Sequence, residues 1–130
     1  MTGREREYLG HFFDRLGYRP ETVDLDFYTR AYSQPGALRA GFDLYRAFEQ
    51  DARDIGAALA EGGTLAVPTL ALHGQLSRFT DVTEDMAREL AGDVTVAQVP
   101  ETGHWLAEEN PSGFVDLVHD FTARQRARNS

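Results

Sequence analysis

Apolar positions divide this chain into two stretches with different rhythms, which meet near residue 63. In the first stretch they recur at helical spacing. Tyr8, Phe12 and Leu16 fall at every fourth position, with Leu9 and Phe13 beside them, so one face of a first helix is apolar. Thr2-Gly3-Arg4-Glu5 fits a capping box ahead of it, and Gly17 fits a C-terminal stop. A second helix is predicted from Thr22 to Tyr32, with Leu25, Tyr28 and Tyr32 on one side, broken by Gln34-Pro35-Gly36. A third is predicted from Ala37 to Phe48 on Leu38, Phe42 and Tyr45. A fourth runs from Asp51 to Ala60 and stops at Gly62-Gly63.

After residue 63 strand and helix alternate. Thr64 to His73 is an apolar run with Val67, Leu70 and Leu72, closed by Gly74, and predicts a strand buried on both faces. Pro68 lies near its start, where a missing donor is tolerable. Asp81 to Leu90 predicts a helix with Asp81, Glu84 and Asp85 near its beginning, where acids suit the helix dipole. Val94 to Val99 is a second strand. Asn110-Pro111 is a strong helix start, followed by an apolar face of Phe114, Leu117, Val118 and Phe121. Strand-helix-strand implies a parallel pair joined by a right-handed crossover. Two parallel strands are too few to cover both faces of a sheet, so the chain reads as part of a larger α/β fold.

Composition narrows the functions. The formal net charge is −8 over 130 residues, which disfavours nucleic acid and anionic membrane surfaces as partners. The one basic cluster, Arg124, Arg126 and Arg128, reads as a solvated helix end. There is no cysteine, so disulfides and thiolate chemistry are out. No apolar run reaches the ~20 residues that cross a bilayer, and residues 4–7 alternate Arg and Glu where a signal peptide needs an apolar core. A cytoplasmic protein is expected. The histidines, His11, His73, His104 and His119, lack metal-ligand spacing, and no glycine-rich phosphate loop is present, so neither metal nor cofactor is expected.

The informative segment is Val99-Pro100-Glu101-Thr102-Gly103-His104-Trp105-Leu106-Ala107-Glu108-Glu109-Asn110-Pro111. It follows a strand, and Gly103 lets the chain turn so that His104 projects from the strand's C-terminal edge, where ligand sites of open α/β sheets lie. The segment resembles the α/β-hydrolase superfamily, in particular the branch of epoxide hydrolases and haloacid or haloalkane dehalogenases. There a Gly-His-Trp or Gly-His-Tyr step after the last strand precedes a Glu-Glu-x-Pro helix start. The resemblance implies that His104 is the catalytic base, activating the water that hydrolyses a covalent ester. Trp105 would be substrate-binding.

Two further segments carry the resemblance. Leu65 to Gly74 is similar to the family's penultimate strand, where Val-Pro-x-Leu precedes a glycine. Many members place the triad acid three residues past that glycine; here the position is Ser77. Asp81 reads as a helix cap, and no triad acid is assigned. His73 reads as a strand-end histidine. Tyr32 to Arg46 looks like the end of the family's helical cap, the lid over the active site. Tyr45 matches the cap tyrosine that hydrogen-bonds the epoxide oxygen, a phenol stabilising charge on the leaving atom, although packing explains it equally well. Tyr28 and Tyr32 read as cap core.

The nucleophile elbow, Gly-x-Asp-x-Gly or Gly-x-Ser-x-Gly, is missing: no two of the 12 glycines are four apart. The expected architecture is therefore a partial α/β-hydrolase fold: a helical cap remnant at residues 1–48, then the last two parallel strands with flanking helices at 49–130. Three functions remain open. The chain is a truncated hydrolase, inactive alone. Or it hydrolyses epoxides or halo-acids, taking a small-molecule substrate, when a partner chain supplies the N-terminal half. Or it is a non-catalytic dimerisation or binding module, since an uncovered strand edge invites a homo-oligomer.

Overall fold

A computed structural model describes residues 3–128 of the chain. The elements are α1 (Glu5–Leu16), a short 3-10 turn (Pro20–Thr22), α2 (Leu25–Tyr32), α3 (Ala37–Gly62), β1 (Thr69–Gly74), α4 (Thr80–Leu90), β2 (Val94–Val99), α5 (Leu106–Glu109) and α6 (Pro111–Arg128). They form two compact units. One holds the chain up to Phe12 together with Asp24–Gly63; the other holds Phe13–Val23 together with everything from Thr64 onward. The change of rhythm at residue 63 is thus also one of the points where the chain passes from one unit to the other.

The first unit is helical and joined by aromatic side chains. Tyr8 meets Phe42 edge-on at 5.4 Å between ring centroids, and Phe12 meets Tyr45 likewise at 6.3 Å. Such pairs are favourable beyond the area they bury. Arg6 and Asp26 form an ion pair. The predicted capping box involves Thr2, which lies outside the described residues; Glu5 accepts instead from the Gly3 amide at 2.9 Å. The second helix starts later than predicted, because Asp24 caps it by accepting from the Phe27 amide at 2.9 Å.

The two helices predicted at 37–48 and 51–60 are one helix of 26 residues. Nothing between Phe48 and Asp51 breaks a helix. Side-chain pairs bridge the junction instead, Gln50 to Asp54 at 2.7 Å and Arg53 to Gln50 at 2.9 Å. No residue of α3 is buried, and Leu44, Tyr45, Phe48 and Ile55 stand out as exposed apolar side chains.

The second unit is the α/β part. β1 and β2 pair in parallel, Thr69 opposite Val94 through Gly74 opposite Val99, as the strand-helix-strand order predicts. β1 begins at Thr69, later than the predicted Thr64. Pro68 has no N–H to donate, and the residues before it contribute only an isolated bridge, Leu65 with Ala91. The strands are not buried on both faces: they are half-buried and close over only at His73, Gly74 and Val99. Among the described residues they pair only with each other and pack against α4 and α6, so much of their surface stays open. Asn110 starts α6 as predicted, accepting from the Gly113 amide at 2.9 Å ahead of Pro111. At the other end Arg128 pairs with Asp93 at 3.0 Å. Within the strands themselves, the buried positions therefore lie at the C-terminal ends.

Candidate functional site

The two strand ends are tied together beyond the sheet. The Gln75 amide donates to the Val99 carbonyl at 3.0 Å and the Leu76 amide to the Thr102 carbonyl at 2.9 Å. The Gln75 side chain accepts from the Glu101 amide at 3.1 Å, holding Glu101 in a left-handed backbone conformation, φ 52°. Thr102 is fully buried and donates its hydroxyl to the Val99 carbonyl at 2.8 Å. Two glycines are imposed by close approach. A Cβ on Gly74 would lie 1.9 Å from the Gly103 carbonyl oxygen, and one on Gly103 would lie 2.6 Å from the Tyr18 amide nitrogen. The turn after β2 thus sits flush on the end of β1.

His104 emerges from this turn. It is exposed, and its backbone amide is fixed to the Leu16 carbonyl at 3.1 Å. Its ring lies edge-on between Phe79, at 5.3 Å, and Trp105, at 4.7 Å. Among the described residues no carboxylate hydrogen-bonds the ring. An accessible imidazole on a fixed backbone can reach water or a ligand with either ring nitrogen.

Trp105 is half-buried. Its indole N–H donates to the Phe13 carbonyl at 3.1 Å, and its ring meets Phe13 edge-on at 4.9 Å. Ser77 lies in the turn after β1, where its hydroxyl oxygen accepts from the Phe79 amide at 3.2 Å. Asp81 is not the cap expected of it. α4 begins at Thr80 without a side-chain cap, and Asp81 sits exposed in the first turn. His73 is a buried strand-end residue, its Nδ1 3.1 Å from the Gly74 carbonyl. Tyr45 belongs to the other unit, on α3, where it is 51% exposed. Burial of part of its ring, then the neighbouring Tyr8 and Tyr32, raise its phenol above the usual range, so it keeps its proton at neutral pH. Among the described residues no cluster of three His, Asp or Glu could hold a metal.

Glu109 was not singled out by its sequence, yet it organises the turn. It is 2% exposed. One carboxylate oxygen accepts from the amides of Tyr18 and Arg19, each at 2.8 Å, and of Gly103 at 3.0 Å; the other accepts from Trp105 at 3.0 Å. Burial alone would raise its pKa, but the four amide donors outweigh burial and hold the carboxyl below its ordinary value. The available signal was positional. An acid one turn after His104, just before an Asn-Pro helix start, has backbone amides within reach.

No family model matches the chain. It is 29% identical to a soluble epoxide hydrolase from Corynebacterium sp. (strain C12), over 92% of this chain and 42% of that protein. Its fold is similar to the crystal structure of Cfl2 from Burkholderia cenocepacia, with TM-score 0.83 and 33% identity over 92% of this chain and 41% of that one. It is also similar to the Cif epoxide hydrolase from Acinetobacter nosocomialis, with TM-score 0.75 and 27% identity over 88% of this chain and 37% of that one. The chain thus spans about two fifths of the length of the relatives it matches. In sequence and in fold, it corresponds to the C-terminal part of the α/β-hydrolase fold as epoxide hydrolases carry it.

Proposed function

We propose that this chain is the histidine-bearing part of an epoxide-hydrolase-type enzyme, inactive until an N-terminal part supplies the nucleophile. One observation carries the reading: His104 stands exposed at the C-terminal edge of a parallel strand pair, on a turn whose backbone is fixed on either side of it. In the proposed reaction a carboxylate from the N-terminal part attacks an epoxide carbon. The C–O bond breaks and the released oxygen takes a proton from a phenol, for which Tyr45 is the proposed donor. His104 then takes a proton from water as the water oxygen adds to the ester carbonyl; collapse expels the alkoxide, which takes the proton of the new carboxyl group to give the diol and restore the carboxylate, and the imidazolium proton returns through solvent to the phenolate. Trp105, its ring beside the imidazole, is the proposed wall of the substrate site. Halo-acids are the alternative substrates, with halide as leaving group. The proposal places the protein in the cytoplasm, a setting its acidic, cysteine-free composition suits.

The test is complementation. The chain is produced together with the segment encoded directly upstream of Met1, and turnover is followed on epoxides and haloacetates. Activity that His104→Ala lowers at least about 10²-fold is expected. A nucleophile-bearing partner that assembles with the chain yet turns over neither class overturns the proposal.

A second reading, a non-catalytic association module, draws on the apolar side chains left uncovered, among them Leu44 at 62% and Val67 at 62% exposed. A defined homo-oligomer in light scattering, together with no turnover after complementation, favours it over the first.

A further inference from the structure

The turn that carries His104 is bracketed by a single carboxylate. Three consecutive backbone amides are each bound: Gly103 to one oxygen of Glu109 at 3.0 Å, His104 to the Leu16 carbonyl at 3.1 Å, and Trp105 to the other oxygen of Glu109 at 3.0 Å. The oxygen that takes Gly103 also takes Tyr18 and Arg19 at 2.8 Å, which ties the turn to the segment after α1. Glu109 is the one ionisable acid among the buried residues, and among the described residues it has no cation in an ion pair. A buried carboxylate without a countercharge is costly to keep. Four amide donors filling its two oxygens offset that cost, as charge-assisted hydrogen bonds are strong. No apolar side chain could bind both flanks of His104.

We infer that Glu109 is a positioning residue for His104, its two oxygens fixing the backbone on either side of the imidazole so that the ring is held between Phe79 and Trp105. Its catalytic meaning rests on the reading of His104 as the base. Its structural content does not, and the following test uses no turnover.

Glutamine has one acceptor oxygen, so in Glu109→Gln the amide group must face either Trp105 or the other three donors with N–H against N–H. The experiment records the imidazole Hε1 lines of all four histidines by NMR on the full chain. Ring currents from Phe79 and Trp105 set the line of His104 apart in the native chain. In Glu109→Gln that line moves toward the position of a free histidine, those of His11, His73 and His119 stay, and whichever of the Gly103 and Trp105 amides loses its acceptor exchanges about tenfold faster, the scale of one lost hydrogen bond. A His104 line that does not move in the folded variant overturns the inference. So do four lines that shift together, since that reports general loosening. Glu109→Asp, too short to reach both flanks, should give the same selective shift. Should neither variant fold, the native chain decides. The amides of Tyr18, Arg19, Gly103 and Trp105 must exchange as one slow set, and four unrelated rates sink the idea. A selective shift alongside failed complementation removes the hydrolase reading and leaves this one standing; the converse pair does the reverse.

Discussion

Two of the regions that carry the family resemblance are built in opposite ways. The turn around His104 is closed by polar bonds and by backbone packed against backbone. Thr102 and Val99 are fully buried, Glu109 accepts four amides, and neither Gly74 nor Gly103 has room for a methyl group. The helix that carries Tyr45 runs 26 residues without one buried side chain. Its partners are aromatic edges such as Phe12 and ion pairs along its own surface such as Arg46 with Asp43. The difference separates two ways of fixing a residue. His104 is placed by hydrogen bonds to its own neighbourhood, which are directional and short. Tyr45 is placed by apolar contact, which needs area, and half of its surface is uncovered.

The sharpest way to break the comparison is a single methyl group at the tight end. In Gly74→Ala the new Cβ would lie 1.9 Å from one backbone oxygen and 2.5 Å from another, and backbone cannot swing aside as a side-chain tip can. The turn after β2 must then lift off β1, and stability should fall by at least about 3 kcal/mol. Urea denaturation followed by Trp105 fluorescence reads this directly, since Trp105 is the single tryptophan of the chain. A loss below about 1 kcal/mol would mean that the two strand ends are not in contact in solution.

Acid offers a second test of the same turn. The carboxyl of Glu109 is held below its ordinary value in the folded chain, so the folded state binds its proton less readily than the unfolded state does. Its contribution is therefore complete above the unfolded pKa, fades as pH falls through that value toward the folded one, and is absent below both. At pH 7, Glu109→Gln should cost about 1–3 kcal/mol, the penalty for a buried donor left unpaired. Toward acid the native chain loses its advantage and the variant, with no proton to gain at this position, does not. The two stability curves converge. A difference that stays constant from pH 7 into the acid range would mean that the charge on Glu109 contributes nothing.

Much of this contrast was legible in the sequence, for physical reasons that differ between the regions. The parallel pair, the helix start at Asn110-Pro111 and the exposed His104 follow from period, capping chemistry and a glycine before a turn, all of which are local. The joined helix α3 was missed because Glu49-Gln50-Asp51 is polar, which resembles a loop, yet these residues are tolerated helix formers that pair at i, i+3 and i, i+4. Strand burial was overestimated because an apolar run records what its face is suited to meet, whereas among the described residues β1 and β2 pair only with each other and pack chiefly on α4 and α6. Glu109 escaped because its partners at Tyr18 and Arg19 lie far away in the chain, and acceptance by a carboxylate leaves no pattern in the residues that donate.

The smallest predicted effect probes the open side of the comparison. Gly56 lies inside α3, and a Cβ placed there would meet nothing within 4 Å. Glycine in a helix interior carries an entropic cost that alanine does not, and no packing interferes here, so Gly56→Ala should stabilise the chain by about 0.5–1 kcal/mol. The same kind of substitution would then be ruinous at Gly74 and mildly favourable at Gly56, and the only variable is what lies beyond the missing methyl. Loss of helical circular dichroism on heating measures it. If Gly56→Ala instead destabilises, and does so more at high protein concentration than at low, then the face of α3 that holds Gly56 is packed in solution. A second copy of the chain would be supplying the cover, and Ile55, 47% exposed here, should lose its accessibility in the same concentration range. A concentration-independent gain keeps α3 as an open helix, with Tyr45 on a surface still waiting for its cover.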